Sequence, residues 1–262
     1  MPLPIRVLSL VDAVERRKAV NAEFVRHGLH FSFFDAIDGR RMADAELDLH
    51  YDRVRNASDF KRPLSREEVA CALGHRAIWR QVAEGSDPVV LVCEDDLVLG
   101  PAFDGFLRSV AAHAAVFEPM LVKLDGTPRR GEVVARLADV DLVLTRRLPG
   151  RTTGYLLGRG AAAALSAREG KISRPVDMDL KHYWEHGVPI LLARPQLVSV
   201  RPNTGSGMEL SRAAAKPAGP WRRLSGNLRY QWAMGLGRLR FPLRVERMAV
   251  LYDMRKLLAG SK

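Results

Sequence analysis

The stretch VVLVCEDDLVLG, residues 89–100, sets an apolar run, Val89–Cys93, directly against three consecutive carboxylates, Glu94, Asp95 and Asp96, and then turns apolar again. An unbroken β-branched and apolar run of this length reads as a strand buried on both faces, the kind found in the middle of a parallel sheet. Three carboxylates at the end of such a strand repel one another and are costly to desolvate unless a positive charge neutralises them. A divalent cation is the usual remedy. Extended backbone alternates its side chains, so Glu94 and Asp96 are expected on one face and Asp95 on the other. Oxygen donors so placed suit a hard cation, Mn²⁺ or Mg²⁺. The bland alternative is a solvated acidic turn after a strand.

The pattern on either side repeats the same alternation of strand and helix. IRVLSL (5–10) reads as a buried strand, and Asp12 with Glu15 resembles a capping box opening a helix that stops before Gly28. LHFSFF (29–34) reads as a second strand, followed by the polar loop DAIDGR. Ser65 and Glu68 form a second S-x-x-E box, opening a helix that Gly85 closes. Further strands are expected at MLVKLDG (120–126), DLVLTRR (141–147), GYLLG (154–158) and PILLARP (189–195). Short helices are expected over RGAAAALSA and near DMDLKHYWEHG. This order predicts an α/β fold, a mostly parallel sheet flanked by helices. Ligands in such folds bind beyond the carboxyl ends of the strands. Ser9, Asp38, Glu94–Asp96 and Asp125 all fall at or just past predicted strand ends, so one crevice can collect them.

Charge divides the chain. Of a formal +11 over 262 residues, residues 216–262 carry 11 Lys/Arg against 2 Asp/Glu, a net of +9. The expected organisation is a nearly neutral domain over 1–215 and a basic helical tail over 216–262, joined at KPAGP. No run of about 18 uncharged apolar residues is available to span a bilayer. The start, MPLPIRVLSLVDAVERRK, has too short an apolar run, too soon followed by charge, for a signal peptide, so the expected location is the cytoplasm. The two cysteines, Cys71 and Cys93, fall in a predicted helix and strand, where packing is their expected role.

Several of these pieces together resemble glycosyltransferase family 25, the lipopolysaccharide-type galactosyltransferases. They are VLSLVDAVERRKAV, FFDAIDGR, SREEVACALGHRAIWRQV, VVLVCEDDLVL, TTGYLLGRGAAAAL and PVDMDL, in the family's order and rough spacing over about residues 5–200. The resemblance implies a GT-A type, Rossmann-like fold. It also implies transfer of a sugar, galactose, from a UDP-sugar to a saccharide or glycolipid acceptor of lipopolysaccharide or lipooligosaccharide type, with inversion and metal assistance. Glu94 and Asp96 then hold Mn²⁺ or Mg²⁺, which stabilises the charge growing on the nucleotide-diphosphate leaving group. Asp95 is left to meet ribose or sugar hydroxyls.

The nucleotide-sugar contacts implied by the same match are Ser9, Leu10, Asp38, Gly39 and His75, with Thr153 and Tyr155 on the sugar or acceptor side. The family pattern around the histidine is G-C-x-x-S-H, whereas this chain has Ala70 for the glycine and Gly74 for the serine. Arg16 and Arg17 open the first helix, where its dipole disfavours cations, and an anionic ligand would explain them. An inverting transferase needs a base to take the acceptor proton. Asp177 is the first candidate and Asp179 the second.

Two readings compete. His182, Glu185 and His186 satisfy H-x-x-E-H, so a zinc hydrolase is a different chemistry for the chain. The tail interleaves Trp221, Tyr230, Trp232 and Phe241 with arginines, which suits the anionic inner-membrane surface, with nucleic acid second. Gly226, Gly235, Gly237 and Pro242 are expected to break it into short helices lying on the surface. A non-enzymatic membrane- or nucleic-acid-binding protein is the third reading, and it leaves the acidic triplet unexplained.

Overall fold

The computed structural model describes residues 2–128, 130–168, 170–202 and 220–240. Strand β1 (Ile5–Ser9) leads through helix α1 (Val14–Arg26) to β2 (Ser32–Asp35). After a 3-10 turn (Gly39–Arg41) come α2 (Asp44–His50), α3 (Arg53–Asp59) and the long α4 (Arg66–Glu84). Next are β3 (Val89–Glu94), β4 (Leu97–Leu99), α5 (Phe103–Ala112), β5 (Leu121–Lys123), β6 (Glu132–Leu137) and β7 (Val140–Leu144). The remainder is β8 (Gly154–Gly158), α6 (Arg159–Ser166), α7 (Val176–Leu180), α8 (Tyr183–His186), β9 (Ile190–Arg194), β10 (Val198–Val200) and α9 (Pro220–Arg240).

The main sheet has the order β2-β1-β3-β8-β5-β9-β7-β6. β1 runs parallel to both β2 and β3, a Rossmann-like start. Beyond β3 the sheet is mixed, with β8 antiparallel to β3 and β5, and β7 antiparallel to β9 and β6. The parallel character expected from the sequence is thus concentrated around the strand ends that form the cleft.

The apolar run of β3 has its predicted cause. Val89, Leu91 and Cys93 face a core built with Phe24 of α1 and Phe103 and Phe106 of α5. Val90 and Val92 face a second core with Ile78 and Trp79 of α4 and the alanines of α6. Burial on both faces removes the polar half of the usual strand pattern. The same rule covers β8, whose Leu156 faces one core and whose Tyr155 and Leu157 face the other.

The two capping boxes fare differently. At α4, Ser65 Oγ accepts from the Glu68 N–H and the Glu68 carboxylate accepts from the Ser65 N–H, so two orphan donors are satisfied. At α1 the cap position is Ala13, with no side-chain cap. Asp12 accepts instead from the Arg40 guanidinium at 2.7 Å. The second strand is shorter than expected, because Leu29 and Phe31 pack against the core ahead of the paired segment.

Within the tail, α9 is one helix that runs through Gly226, Gly235 and Gly237, correcting the expectation of breaks there. A Cβ on Gly237 would lie 2.2 Å from the Trp184 indole, so at this position the missing side chain permits docking. Tyr230 and Met234 are buried against the body, and the Tyr230 ring meets Phe60 edge-on. Residues 216–219 and 241–262, including the expected joint, Phe241 and Pro242, lie outside the described residues. Among the described residues no helix is long and apolar enough to cross a membrane.

Candidate active site

The chain leaves β1 toward β2 on one side, and β3 lies on the other, so the β1/β3 boundary is a topological switch point. A cleft of about 330 Å³ opens there, lined by Ser9, Leu10, Arg16, Asp38, Glu94 and Asp96 among others. Gly39 lets the loop after β2 close one wall, since a Cβ would meet the backbone of Arg66 and Glu67 at 2.7 Å. Gly74 likewise leaves room for Leu8, whose Cδ1 would stand 3.0 Å from a Cβ there. The serine of the family pattern would push Leu8 aside.

All three carboxylates of the triplet line this cleft. The expected alternation fails because β3 ends at Glu94 and residues 95–96 form a turn into β4, so Asp95 does not point away. Asp95 Oδ2 accepts from Ser9 Oγ at 2.6 Å, and Oδ1 pairs with Arg16 at 2.9 Å. Burial nonetheless holds the Asp95 pKa above its ordinary value.

Glu94 is held by a chain of hydrogen bonds whose direction can be deduced. The Trp79 indole N–H can only donate, and it meets Tyr155 Oη at 2.9 Å. The Tyr155 hydroxyl is therefore free to donate to His75 Nδ1, 2.8 Å away. With that hydroxyl donated to Nδ1, the ring proton lies on Nε2, which faces Glu94 Oε1 at 3.3 Å. Thr152 Oγ1 donates to the same oxygen at 2.5 Å. Burial works to raise the pKa of Glu94, but the His75, Thr152 and Lys123 interactions bring it below the ordinary value.

Three sequence candidates, His75, Thr153 and Tyr155, are not among the residues that line this cleft. His75 and Tyr155 are fully buried and Thr153 nearly so, and Tyr155 acts on Glu94 through His75. Cys71, expected only to pack, lines the cleft, and its sulfur lies within 4.8 Å of ligand atoms of His75 and Glu94. Within this trio His75 Nε2 and Glu94 Oε1 are hydrogen-bonded to each other.

Asp96 provides a test of the implied cation. Its Oδ1 is buried without a hydrogen-bond partner, and burial, then repulsion from Glu94 and Asp95, pushes its pKa up to about 7. An orphaned carboxylate oxygen beside two more carboxylates is the deficit a hard cation would relieve. The residues present fit Mn²⁺ or Mg²⁺, and Glu94 and Asp96 are the ones that would hold it.

A second group of carboxylates is stitched to the first by three consecutive residues. Arg151, at φ +78°, donates its N–H to Asp177 Oδ2 at 3.0 Å and accepts from Lys123 Nζ at 2.5 Å. Thr152 reaches Glu94, and the Thr153 N–H donates to Asp125 Oδ2 at 3.0 Å. A left-handed non-glycine residue fixed by this many bonds is characteristic of functional loops. Lys123 and Asp125 form a buried ion pair at 2.9 Å. The sequence carried a signal for this pair, a lysine inside the apolar run MLVKLDG. Nothing local marked Thr152 over Thr153.

The structure separates the two base candidates. Asp179 is clamped by Arg168 at 2.8 Å and Arg174 at 2.7 Å. Burial opposes its charge, but the two guanidinium groups hold its pKa below the ordinary value. It is occupied structurally and is a poor base. Asp177 is half-buried and bonded to a backbone N–H.

The two arginines also part. Arg16 lines the cleft, whereas Arg17 is tied to the Ser9 and Leu10 carbonyls and to Asp35, with its guanidinium over the Phe33 ring. Asp38 caps the 3-10 turn, and its hydrogen bonds with Arg40 hold its pKa low.

The H-x-x-E-H residues do not converge on a metal. Helix α8 is a single turn with His182 at its cap. His182 donates to the Met178 carbonyl, His186 bonds the Leu180 carbonyl and the Val188 N–H, and Glu185 pairs with Arg174.

These features define a Rossmann-like α/β protein with an acidic cleft at its switch point. Residues 3–127 match the sequence model of glycosyltransferase family 25 (LPS biosynthesis protein), so the resemblance read in the sequence is borne out over that stretch. The chain is 36% identical over 114 residues to the lacto-N-neotetraose biosynthesis glycosyltransferase LgtB of Neisseria meningitidis serogroup B, covering 43% of this chain and 40% of that protein. It is 36% identical over 101 residues to LgtE of the same organism, covering 38% and 35%. The lipooligosaccharide biosynthesis protein lic2B of Haemophilus influenzae is 29% identical over 101 residues, 38% of this chain and 36% of that protein. The matches thus span about two fifths of the length of these relatives. The cleft residues Ser9 to Asp96 lie inside the family match, and Asp177 lies beyond it.

Proposed function

We propose that this chain is a glycosyltransferase of GT-A type that moves a sugar from a nucleotide-diphosphate donor to a saccharide acceptor of lipopolysaccharide or lipooligosaccharide type, with inversion. The observation that carries this reading is the buried, unpartnered Oδ1 of Asp96 beside Glu94 and Asp95 in a cleft within the family match. UDP-galactose is the donor the family resemblance favours.

A cation held by Glu94 and Asp96 supplies electrostatic stabilisation to the departing diphosphate. The chain supplies the remainder. Ser9, Asp95 and Arg16 form one connected wall of the cleft and orient the nucleotide, with Asp38 and Gly39 opposite. His75 and Thr152 fix Glu94. Asp177 takes the proton of the acceptor hydroxyl as that oxygen attacks the anomeric carbon, and the electron pair of the breaking C–O bond leaves with the diphosphate. One displacement inverts the anomeric centre.

The acceptor is placed at the cytoplasmic face of the inner membrane by the basic tail. On α9, Leu228, Trp232 and Leu239 face outward, with Trp232 72% exposed, on the opposite side from buried Tyr230 and Met234. Calorimetric titration of UDP, with and without Mn²⁺, followed by transfer assays from UDP-galactose, tests the donor half of the proposal. Cation-dependent UDP binding is the expected result, and its absence for every nucleotide diphosphate tried overturns the reading.

A further inference from the structure

We propose that the chain carries a second, phosphate-binding pocket on the face of α4 next to the donor cleft, with Arg76 and Lys171 as the groups that take the anion. The pocket shares no lining residue with that cleft, so the inference stands apart from the donor reading.

Helix α4 divides the two sites. Glu67 and Cys71 line the cleft, whereas Ala72, Arg76 and Trp79, at the spacing of one helical face, line the second pocket, of about 30 Å³. The segment after α6 closes its other side with Arg168, Lys171 and Arg174. Arg55 and Lys171, both exposed, open it to solvent, so it can seat a single terminal group that stays partly in water, and a whole nucleotide is too large.

The charge of the lining is lopsided. Among the described residues five cations line the pocket, Arg55, Arg76, Arg168, Lys171 and Arg174, against one carboxylate, Asp179. Three of the five are paired: Arg55 meets Asp59 at 2.8 Å, and Arg168 and Arg174 share Asp179 and Glu185. Arg76 and Lys171 are the surplus. Arg76 Nη1 donates to the Gly170 carbonyl at 2.7 Å and Lys171 Nζ to the Asp48 carbonyl at 2.6 Å, and among the described residues neither has a carboxylate oxygen within 4.0 Å. Arg76 Nε and Nη2 have no acceptor among the described residues, and neither atom is sealed from solvent.

A basic rim that is merely solvated would leave its cations on free side chains. Here a carbonyl fixes each of the two beside one cavity, so their unused donors are already oriented and less side-chain freedom remains to be lost on binding. A guanidinium fork and an ammonium together match the oxygens and the double charge of a phosphate group better than they match a carboxylate. Burial is the largest influence on Arg76 and holds its pKa below the ordinary value, with Arg168 and Arg174 adding to that and Asp179 opposing it. A bound anion would reverse this disadvantage.

The test titrates inorganic phosphate, methyl phosphate and acetate into the full chain by calorimetry, at fixed ionic strength and without divalent cations. Inorganic phosphate should bind saturably and about tenfold more tightly than acetate. Arg76→Gln and Lys171→Gln should each weaken it about tenfold, the effect of one lost charge-assisted contact. Thermal melting establishes that each variant is folded, and Lys171→Gln, at an exposed position, keeps the test decisive if Arg76→Gln does not fold. Methyl phosphate binding as tightly as inorganic phosphate assigns the pocket to a phosphate monoester, and binding of inorganic phosphate alone assigns it to the free ion. The absence of saturable binding, equal binding of acetate, or phosphate affinity unchanged in both variants overturns the proposal. So does loss of phosphate binding in Arg16→Gln but in neither pocket variant, since that places the anion in the donor cleft.

Discussion

Asp177 and Glu94 are held by adjacent residues of one segment: the Arg151 N–H donates to Asp177 Oδ2 at 3.0 Å, and Thr152 Oγ1 donates to Glu94 Oε1 at 2.5 Å. The proposed base and the proposed cation ligand therefore share a scaffold, although 83 positions separate them in the 262-residue chain. This coupling shapes what substitutions in the site should do.

Asp96→Asn removes the carboxylate whose Oδ1 has no partner. Cation-dependent UDP binding should fall below detection, while the melting temperature of the metal-free protein stays the same or rises, because a desolvated, repelled charge has gone. Calorimetry and thermal melting read the two effects. An Asp96→Asn protein with wild-type UDP affinity in Mn²⁺ contradicts the assignment.

Asp177→Asn and Asp179→Asn should fail for different reasons. The first keeps shape and removes basicity, so transfer collapses with donor affinity preserved. The second leaves Arg168 and Arg174 short of a partner, and breaking a buried pair in this way costs about 3–5 kcal/mol. Its melting temperature should drop before any catalytic effect can be isolated. If Asp179→Asn melts like wild type and loses transfer alone, the roles are reversed.

Tyr155→Phe deletes one hydroxyl and strands two partners, the Trp79 N–H and His75 Nδ1. Each buried group left without a partner costs roughly 1–3 kcal/mol. The imidazole also becomes free to place its proton on Nδ1, turning an acceptor toward Glu94 in place of a donor. Mn²⁺ affinity, followed by electron paramagnetic resonance, should weaken along with stability. Unchanged Mn²⁺ affinity in a destabilised variant would confine the hydroxyl to packing.

Acid should destabilise the protein through His182 and His186. Burial, aided for His182 by Arg174 and for His186 by Arg168, pushes each pKa down to about 4 from an ordinary 6.5. Between these values the unfolded chain binds protons that the folded chain does not, so stability is lost as pH falls from 6.5 toward 4. The loss is at most roughly 3 kcal/mol for each group. Asp96 has the opposite sign: with its folded pKa raised to about 7, the metal-free protein loses stability as pH rises from about 4 to 7. Melting curves across this range in the Asp96→Asn background, compared with and without His182→Gln and His186→Gln, read the histidines, and identical pH profiles refute their contribution.

The parts legible in the sequence were those set by local pattern or by burial on two faces. β3 and β8 announced themselves because both of their faces meet cores, and α4 did so because Ser65 and Glu68 close a box within four residues. The box expected at Asp12 was undone from a distance, by Arg40. Strand direction beyond β3, and the short strands β4, β6 and β10, depend on pairings between distant segments that leave little mark on local periodicity. The site divides in the same way. The acidic triplet was visible as an anomaly, but Thr152, Cys71 and the Tyr155–His75 bond join the candidate site only through contacts across the fold.

The outward face of α9 makes the membrane proposal specific to three side chains. Leu228, Trp232 and Leu239 are 63%, 72% and 74% exposed, while Tyr230 and Met234 on the other side are buried, so the helix can dock on the body and still offer an apolar stripe. In sequence, residues 216–262 carry 11 Lys/Arg. Each basic residue near an anionic surface contributes about 1 kcal/mol, so a few engaged side chains give reversible, salt-sensitive binding. Truncating the tail would expose the surface under Tyr230 and Met234, so the cleaner variant replaces the three outward residues with serine and leaves the docking face intact. Co-sedimentation with phosphatidylglycerol-containing vesicles should fall severalfold in that variant and, for wild type, between low and high salt. Equal, salt-independent sedimentation of both proteins would remove the tail from membrane binding, and tighter binding of wild type to RNA than to the vesicles would reassign its charge to nucleic acid.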